Sequence, residues 1–112
     1  MEKLRSLNYV NDETFARNFA LTRSENRSYG PKRIERELRA KGIDQALIRE
    51  AVRETFARAD ETAKARMLLE KRFKNENFDD PKMLRRAAAF LQRRGYSPNT
   101  IFALLKVPVE DD

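Results

Sequence analysis

The sequence predicts an all-α protein of two tandem three-helix repeat units, preceded by an N-terminal helical stub. Three observations carry that expectation. Charged residues make up 38% of the chain and only three glycines interrupt it, which favours long polar-faced helices over a sheet. No segment alternates apolar and polar residues over a strand's length between turn signals. Finally, one pattern is written twice. Pro31-Lys32-Arg33-Ile34 leads through Leu38-Arg39-Ala40-Lys41-Gly42-Ile43 to Leu47, Ile48, Ala51 and Val52, and Pro81-Lys82-Met83-Leu84 leads through Leu91-Gln92-Arg93-Arg94-Gly95-Tyr96 to Ile101, Leu104 and Leu105. Aligned on Gly42 and Gly95, Leu38 falls on Leu91, Lys41 on Arg94, Ile48 on Ile101, Ala51 on Leu104 and Val52 on Leu105. A repeat of this period points to stacked helical units, which present surfaces to partners more often than catalytic pockets.

The elements follow in order. Leu4 and Leu7 share a face, and Asn8 suits the left-handed residue that ends a helix. A helix that short seldom holds itself up, so residues 1–8 are expected to be the stub of a preceding unit whose earlier part is absent. The first unit, 9–57, opens with Asn11 or Asp12 capping a helix to about Asn26, with Asp12 and Glu13 where the macrodipole favours acids. Its inner stripe reads as Phe15, Phe19 and Thr22 with Ala16 and Ala20 beside it. Ser28-Tyr29-Gly30 forms a loop, and Pro31 suits a first helical position. That middle helix ends at Gly42, and Asp44 caps a third helix burying Leu47, Ile48, Ala51, Val52 and Phe56.

The second unit, 58–107, repeats the order. Asp60 is expected to cap a helix to about Lys74, burying Ala63, Met67, Leu68 and Phe73, with Phe78 tucked in from the following loop. Asp80-Pro81 opens a helix that buries Leu84, Ala87 and Leu91, an i, i+3, i+7 stripe, and Gly95 closes it. Ser97-Pro98 opens a short last helix that Pro108 stops. Residues 108–112 read as an acidic disordered tail. Proline to glycine is longer in the second unit, and Phe15 and Phe19 have no aromatic counterparts there, which suggests divergent duplication.

Composition narrows the chemistry. There are 24 basic and 18 acidic residues, a net charge of +6, with no cysteine and no histidine. Disulfides, thiolate or imidazole metal sites, and Cys or His catalysis are thereby excluded. There is no phosphate-cradling glycine loop, and capping before Pro81 explains Asp80 better than a metal pair with Asp79. No cofactor, metal or enzymatic activity is expected. No signal peptide or long apolar run is readable, so no membrane contact is expected, cytoplasm is the default location, and the chain is expected to be a monomer.

What remains is cation. Lys32, Arg36 and Arg39 form one stripe at i, i+4, i+7, extended by Arg33 and Lys41 and diluted by Glu35 and Glu37. Lys82, Arg86 and Arg93 share a face flanked by Arg85 and Arg94, with no acidic residue from Lys82 to Val109. If the units stack alike, the stripes join into one surface whose arginines suit bidentate contact with phosphate or carboxylate. The competing account is a solvated face. The segments around Gly42 and Gly95 also resemble a helix-turn-helix, but their second helices carry Glu50 and Glu54 against Arg49 and Arg53, or only Lys106, which speaks against major-groove reading. Tyr9, Tyr29 and Tyr96 fit packed rings with wet hydroxyls better than base-stacking platforms.

Tyr9-Val10-Asn11-Asp12-Glu13-Thr14-Phe15-Ala16, followed by Tyr29-Gly30-Pro31-Lys32-Arg33-Ile34-Glu35-Arg36-Glu37-Leu38-Arg39-Ala40-Lys41-Gly42-Ile43, resembles the RecX family of recombinase regulators. Phe90-Leu91-Gln92-Arg93-Arg94-Gly95-Tyr96-Ser97 is similar to that family's closing unit. The resemblance implies a modular all-α protein that lies in the groove of the RecA filament. There it inhibits ATP hydrolysis, strand exchange and coprotease activity without being an enzyme. It implies a place in homologous recombination, DNA repair and the SOS response. Typical members carry three such units, whereas two and a stub are readable here. The expected partner is the RecA filament, with single- or double-stranded DNA as a further one. The alternative is a sequence-nonspecific DNA-binding helical module using the same arginines on phosphates.

Overall fold

The structure, a computed structural model, describes the backbone of residues 2–57 and 60–110 and the side chains of 11–57 and 61–110. Among them are six helices and no strand: α1 (Glu2–Arg27), α2 (Pro31–Ala40), α3 (Gln45–Thr55), α4 (Asp60–Arg72), α5 (Pro81–Arg94) and α6 (Pro98–Leu105). Helices α1–α3 pack on one another and so do α4–α6. Each trio encloses its own apolar core. The result is an elongated body of 57 × 23 × 20 Å.

The repeat is physically real. Leu38 and Leu91 are both fully buried, as are Ile48 and Ile101. Gly42 and Gly95 have φ of 82° and 98°, a left-handed conformation that side chains resist. Gly42 N–H donates to Arg39 O at 3.0 Å and Ile43 N–H to Leu38 O at 3.2 Å. In the second unit Gly95 N–H donates to Gln92 O at 3.0 Å and Tyr96 N–H to Leu91 O at 3.1 Å. Both turns use the same bonds to satisfy the last carbonyls of a helix. Asp44 and Asp80 cap α3 and α5 through the N–H groups of Ala46 and Lys82. At α6 the cap differs: the Glu61 carboxylate accepts from both the N–H and the hydroxyl of Ser97, at 2.8 and 2.7 Å.

Several expectations are corrected. Helix α1 runs through Asn8 and the anticipated caps at Asn11 and Asp12 without a break. Extending a helix adds a hydrogen bond per residue, whereas restarting one needs a new nucleus. Among its described side chains the buried line is Ala16, Ala20 and Ser24, while Phe15 is 44% exposed and Thr22 is also outside. Small residues let α1 approach α3 closely; Phe19 packs half-buried against this core as expected, in a tilted ring pair at 5.7 Å with the exposed Phe15. In α4 the buried residues are Ala65 and Leu69. Ala63 and Met67 face outward and Leu68 is half-buried. The Asp60 cap lies outside the described side chains. Helix α6 ends before Pro108, at Leu105, with Lys106 left-handed. Of the C-terminal segment, Val109 packs against the second core and Asp111 and Asp112 lie outside the described residues.

The units are joined by backbone rather than by a shared apolar core. The N-terminus of α2 meets the C-terminus of α5 head to tail: Gly30 N–H donates to Arg94 O at 2.7 Å and Lys32 N–H to Gly95 O at 2.8 Å. Orphan donors of one helix thus satisfy orphan acceptors of the other, with the two macrodipoles aligned. Around this joint the Arg94 Nη1 donates to Arg27 O at 2.7 Å, and the Tyr96 hydroxyl donates to Ser28 O at 2.9 Å. The Tyr96 hydroxyl is therefore engaged and its side chain buried, contrary to the expected wet hydroxyl.

Candidate functional site

The joint decides where the basic stripes lie. Because α5 runs into α2 end to end, the exposed side of one middle helix continues into the other. Lys32, Arg36 and Arg39 line a small cavity of about 110 Å³ with Gln92 of α5. Arg33, Arg36 and Arg93 line an adjoining one with no carboxylate in its wall. Arg93 is shared in turn with a third cavity that holds Arg86 and Arg72. These shared walls connect the two stripes across the joint.

Not every candidate cation joins this seam. The Lys41 Nζ sits 5.6 Å from the Phe19 ring, turned toward α1. Lys82 and Arg85 are exposed in the first turns of α5, outside these cavities. Arg94 belongs to the joint: it is bonded to the Arg27 carbonyl and its guanidinium lies 5.3 Å from the Phe90 ring. Arg33 is partly committed too, 4.0 Å over the Tyr29 ring and paired with Glu37 at 3.2 Å. Glu37 also draws Arg23 to 3.4 Å. Glu37 therefore neutralises one edge of the seam, Glu35 and Glu110 share a cavity wall with Arg36 and Arg39, Glu76 shares one with Arg86 and Arg93, and these four arginines are exposed to solvent.

Sequence reasoning missed three cations. A cleft of about 800 Å³ on the seam's flank is lined by Arg27, Lys71 and Arg72 together with Arg33 and Arg94, and no carboxylate contributes to its wall. Arg72 lies 5.7 Å from the Phe90 ring, so aromatic faces hold both Arg72 and Arg94 in place. Arg27 ends α1, and Lys71 and Arg72 end α4. Basic residues in a last turn are read as macrodipole partners, and nothing in their spacing shows that two helix ends meet at one cleft.

The arrangement suits contact with anionic groups along a line and offers little for catalysis. Among the described residues no cluster of His, Cys, Asp or Glu suits a metal, and no helix is long and apolar enough to cross a membrane. The α3 surface bears the Glu50–Arg53 ion pair, whose hydrogen bond holds the Glu50 carboxyl below its ordinary range. With Arg53 so engaged and Glu50 and Glu54 beside Arg49, this helix is a poor reader of base edges.

Comparison with known proteins agrees with this architecture. The family model for the second three-helix domain of RecX matches residues 11–52, and that for the third three-helix domain matches 59–105. The Regulatory protein RecX of Trichlorobacter lovleyi is 36% identical over 110 residues, covering 95% of this chain and 70% of that protein. That of Bacillus subtilis is 36% identical over the whole chain, which spans 43% of its length. The Halorhodospira halophila protein of the same name is 35% identical, and the chain spans 68% of it. No solved structure matches the chain. Two consecutive domain matches in the family's own order, with relatives aligned from end to end of the sequence, place this chain in the RecX family of regulatory proteins.

Proposed function

We propose that the chain binds the RecA recombinase filament, with its DNA, and modulates it, acting as a regulator without catalysis of its own in the cytoplasm. The observation that carries this reading is the seam of exposed arginines, which crosses from one unit to the other without interruption by a carboxylate between Arg36 and Arg93. A filament repeats its acidic side chains and phosphates along an axis. An elongated body 57 Å long engages several of them at once, so weak contacts add as avidity. The family membership supports the same target.

The second reading is a sequence-nonspecific nucleic-acid module, favoured by the carboxylate-free cleft beside the joint. Binding of a labelled chain to RecA-coated single-stranded DNA, compared with the same DNA bare, separates the two. The regulator reading requires tighter binding to the coated strand. Equal or tighter binding to bare DNA, with log affinity falling by about 0.7 per phosphate contacted for each tenfold rise in salt, favours the module.

A further inference from the structure

After α6 the chain does not leave the body. Lys106 takes a left-handed conformation with φ 59°, and Val107 and Val109 pack against the second core. The Gln92 Nε2 then donates to the Glu110 carbonyl at 2.9 Å. This tether sets Glu110 in the wall of the small cavity that holds Lys32, Arg36 and Arg39. No acidic residue occurs between Lys82 and Val109, so Glu110, the first acidic residue after α5, comes to lie beside the other unit's basic stripe, in a wall that Glu35 also lines.

We propose that the C-terminal segment is an intramolecular competitor for the basic seam, with Glu110 occupying the place of an anionic group of the partner. The inference rests on the reading of the seam as the binding surface. A carboxylate held by a short tether has a high effective concentration, yet an exposed carboxylate–guanidinium contact is weak. An isolated anion therefore fails to displace it, whereas a partner that presents many anionic groups in register does. The segment thus selects for extended polyanionic targets and sets the concentration at which the seam opens.

The test uses the full chain and three variants. Gln92→Ala cuts the tether without changing charge, Glu110→Gln removes the competing charge, and Glu50→Gln makes the same charge change on α3, away from the seam. The first readout is the side-chain Nε–Hε resonances of Arg36 and Arg39, which should move in Gln92→Ala and Glu110→Gln and stay in place in Glu50→Gln. The second is affinity for RecA-coated single-stranded DNA, which should rise about two- to fivefold in the first two variants, the range one exposed ion pair allows. Resonances that stay put, or affinities that do not rise, overturn the inference. Arg36→Glu separates the two levels. If it leaves filament affinity unchanged, the reading of the seam falls. If it weakens binding while Gln92→Ala and Glu110→Gln fail to tighten it, the role of the tail alone falls.

Discussion

Gly30 and Gly95 meet backbone to backbone: a Cβ added to Gly30 would lie 2.5 Å from the Gly95 carbonyl carbon, and one added to Gly95 would collide with the backbone of Arg33. No side chain fits on either side of this contact. It holds α5 and α2 in line, and with them the two halves of the basic seam.

Gly95→Ala should therefore cost far more than Gly42→Ala, although both glycines have positive φ. At Gly42 nothing lies within 4 Å of an added Cβ, so the cost is conformational, about 1–2 kcal/mol. At Gly95 the same cost is joined by a clash that forces the units apart. Calorimetry should show the larger loss for Gly95→Ala, and small-angle scattering a changed radius of gyration for that variant alone. Equal losses and unchanged shape would mean the joint is looser than the geometry says.

Tyr96→Phe removes the hydroxyl bond to Ser28 O and should cost about 1 kcal/mol in denaturant unfolding. Burial pushes the Tyr96 hydroxyl up to about 12, helped by the negative charge of Glu61 and opposed by Arg94. The folded state then holds this proton more tightly than the unfolded one. The associated stability is complete below about pH 10 and is lost as pH rises toward 12. Ultraviolet titration should show a late-ionising tyrosine that vanishes in Tyr96→Phe.

Ile48 and Ile101 occupy matching places in separate cores. Each replaced by Ala should lose about 2–5 kcal/mol, and the loss should stay local, as in proteins whose units interact only with neighbours. Hydrogen exchange should speed up across α1–α3 for Ile48→Ala and across α4–α6 for Ile101→Ala. Uniform acceleration in either variant would show one cooperative core instead.

Arg94 and Arg36 should behave differently although both are cations of the middle helices. Arg94→Ala gives up a bond to the Arg27 carbonyl and a ring contact, so it should lower stability by about 1–2 kcal/mol. Arg36 is exposed on the seam, and Arg36→Ala should leave the melting temperature within about 2 °C while weakening partner binding. Paired melting and binding measurements decide the assignment.

The sequence made the repeat legible because glycine turns, capping acids and fully buried Leu and Ile are local devices with local signatures. Helix α4 was misread because Ala63, Ala65, Met67, Leu68 and Leu69 leave apolar residues on more than one side, so periodicity alone does not choose a face. The continuity of α1 was hidden by Asn8, a residue tolerated inside helices as well as after them. The joint was invisible for a deeper reason. Its bonds run between main-chain atoms of residues far apart in sequence, and such bonds leave no side-chain pattern. Arg27, Lys71 and Arg72 became candidates only once that joint set their helix ends side by side.

The most direct test of the seam is the rate of ATP hydrolysis by RecA on single-stranded DNA as the chain is titrated in, alongside the double variant Arg36→Glu/Arg93→Glu. The account predicts that the wild type lowers the rate at concentrations comparable to RecA, and that the double variant, equally helical, loses at least tenfold in potency. A wild type without effect, or a charge-reversed variant that inhibits as well, would contradict it.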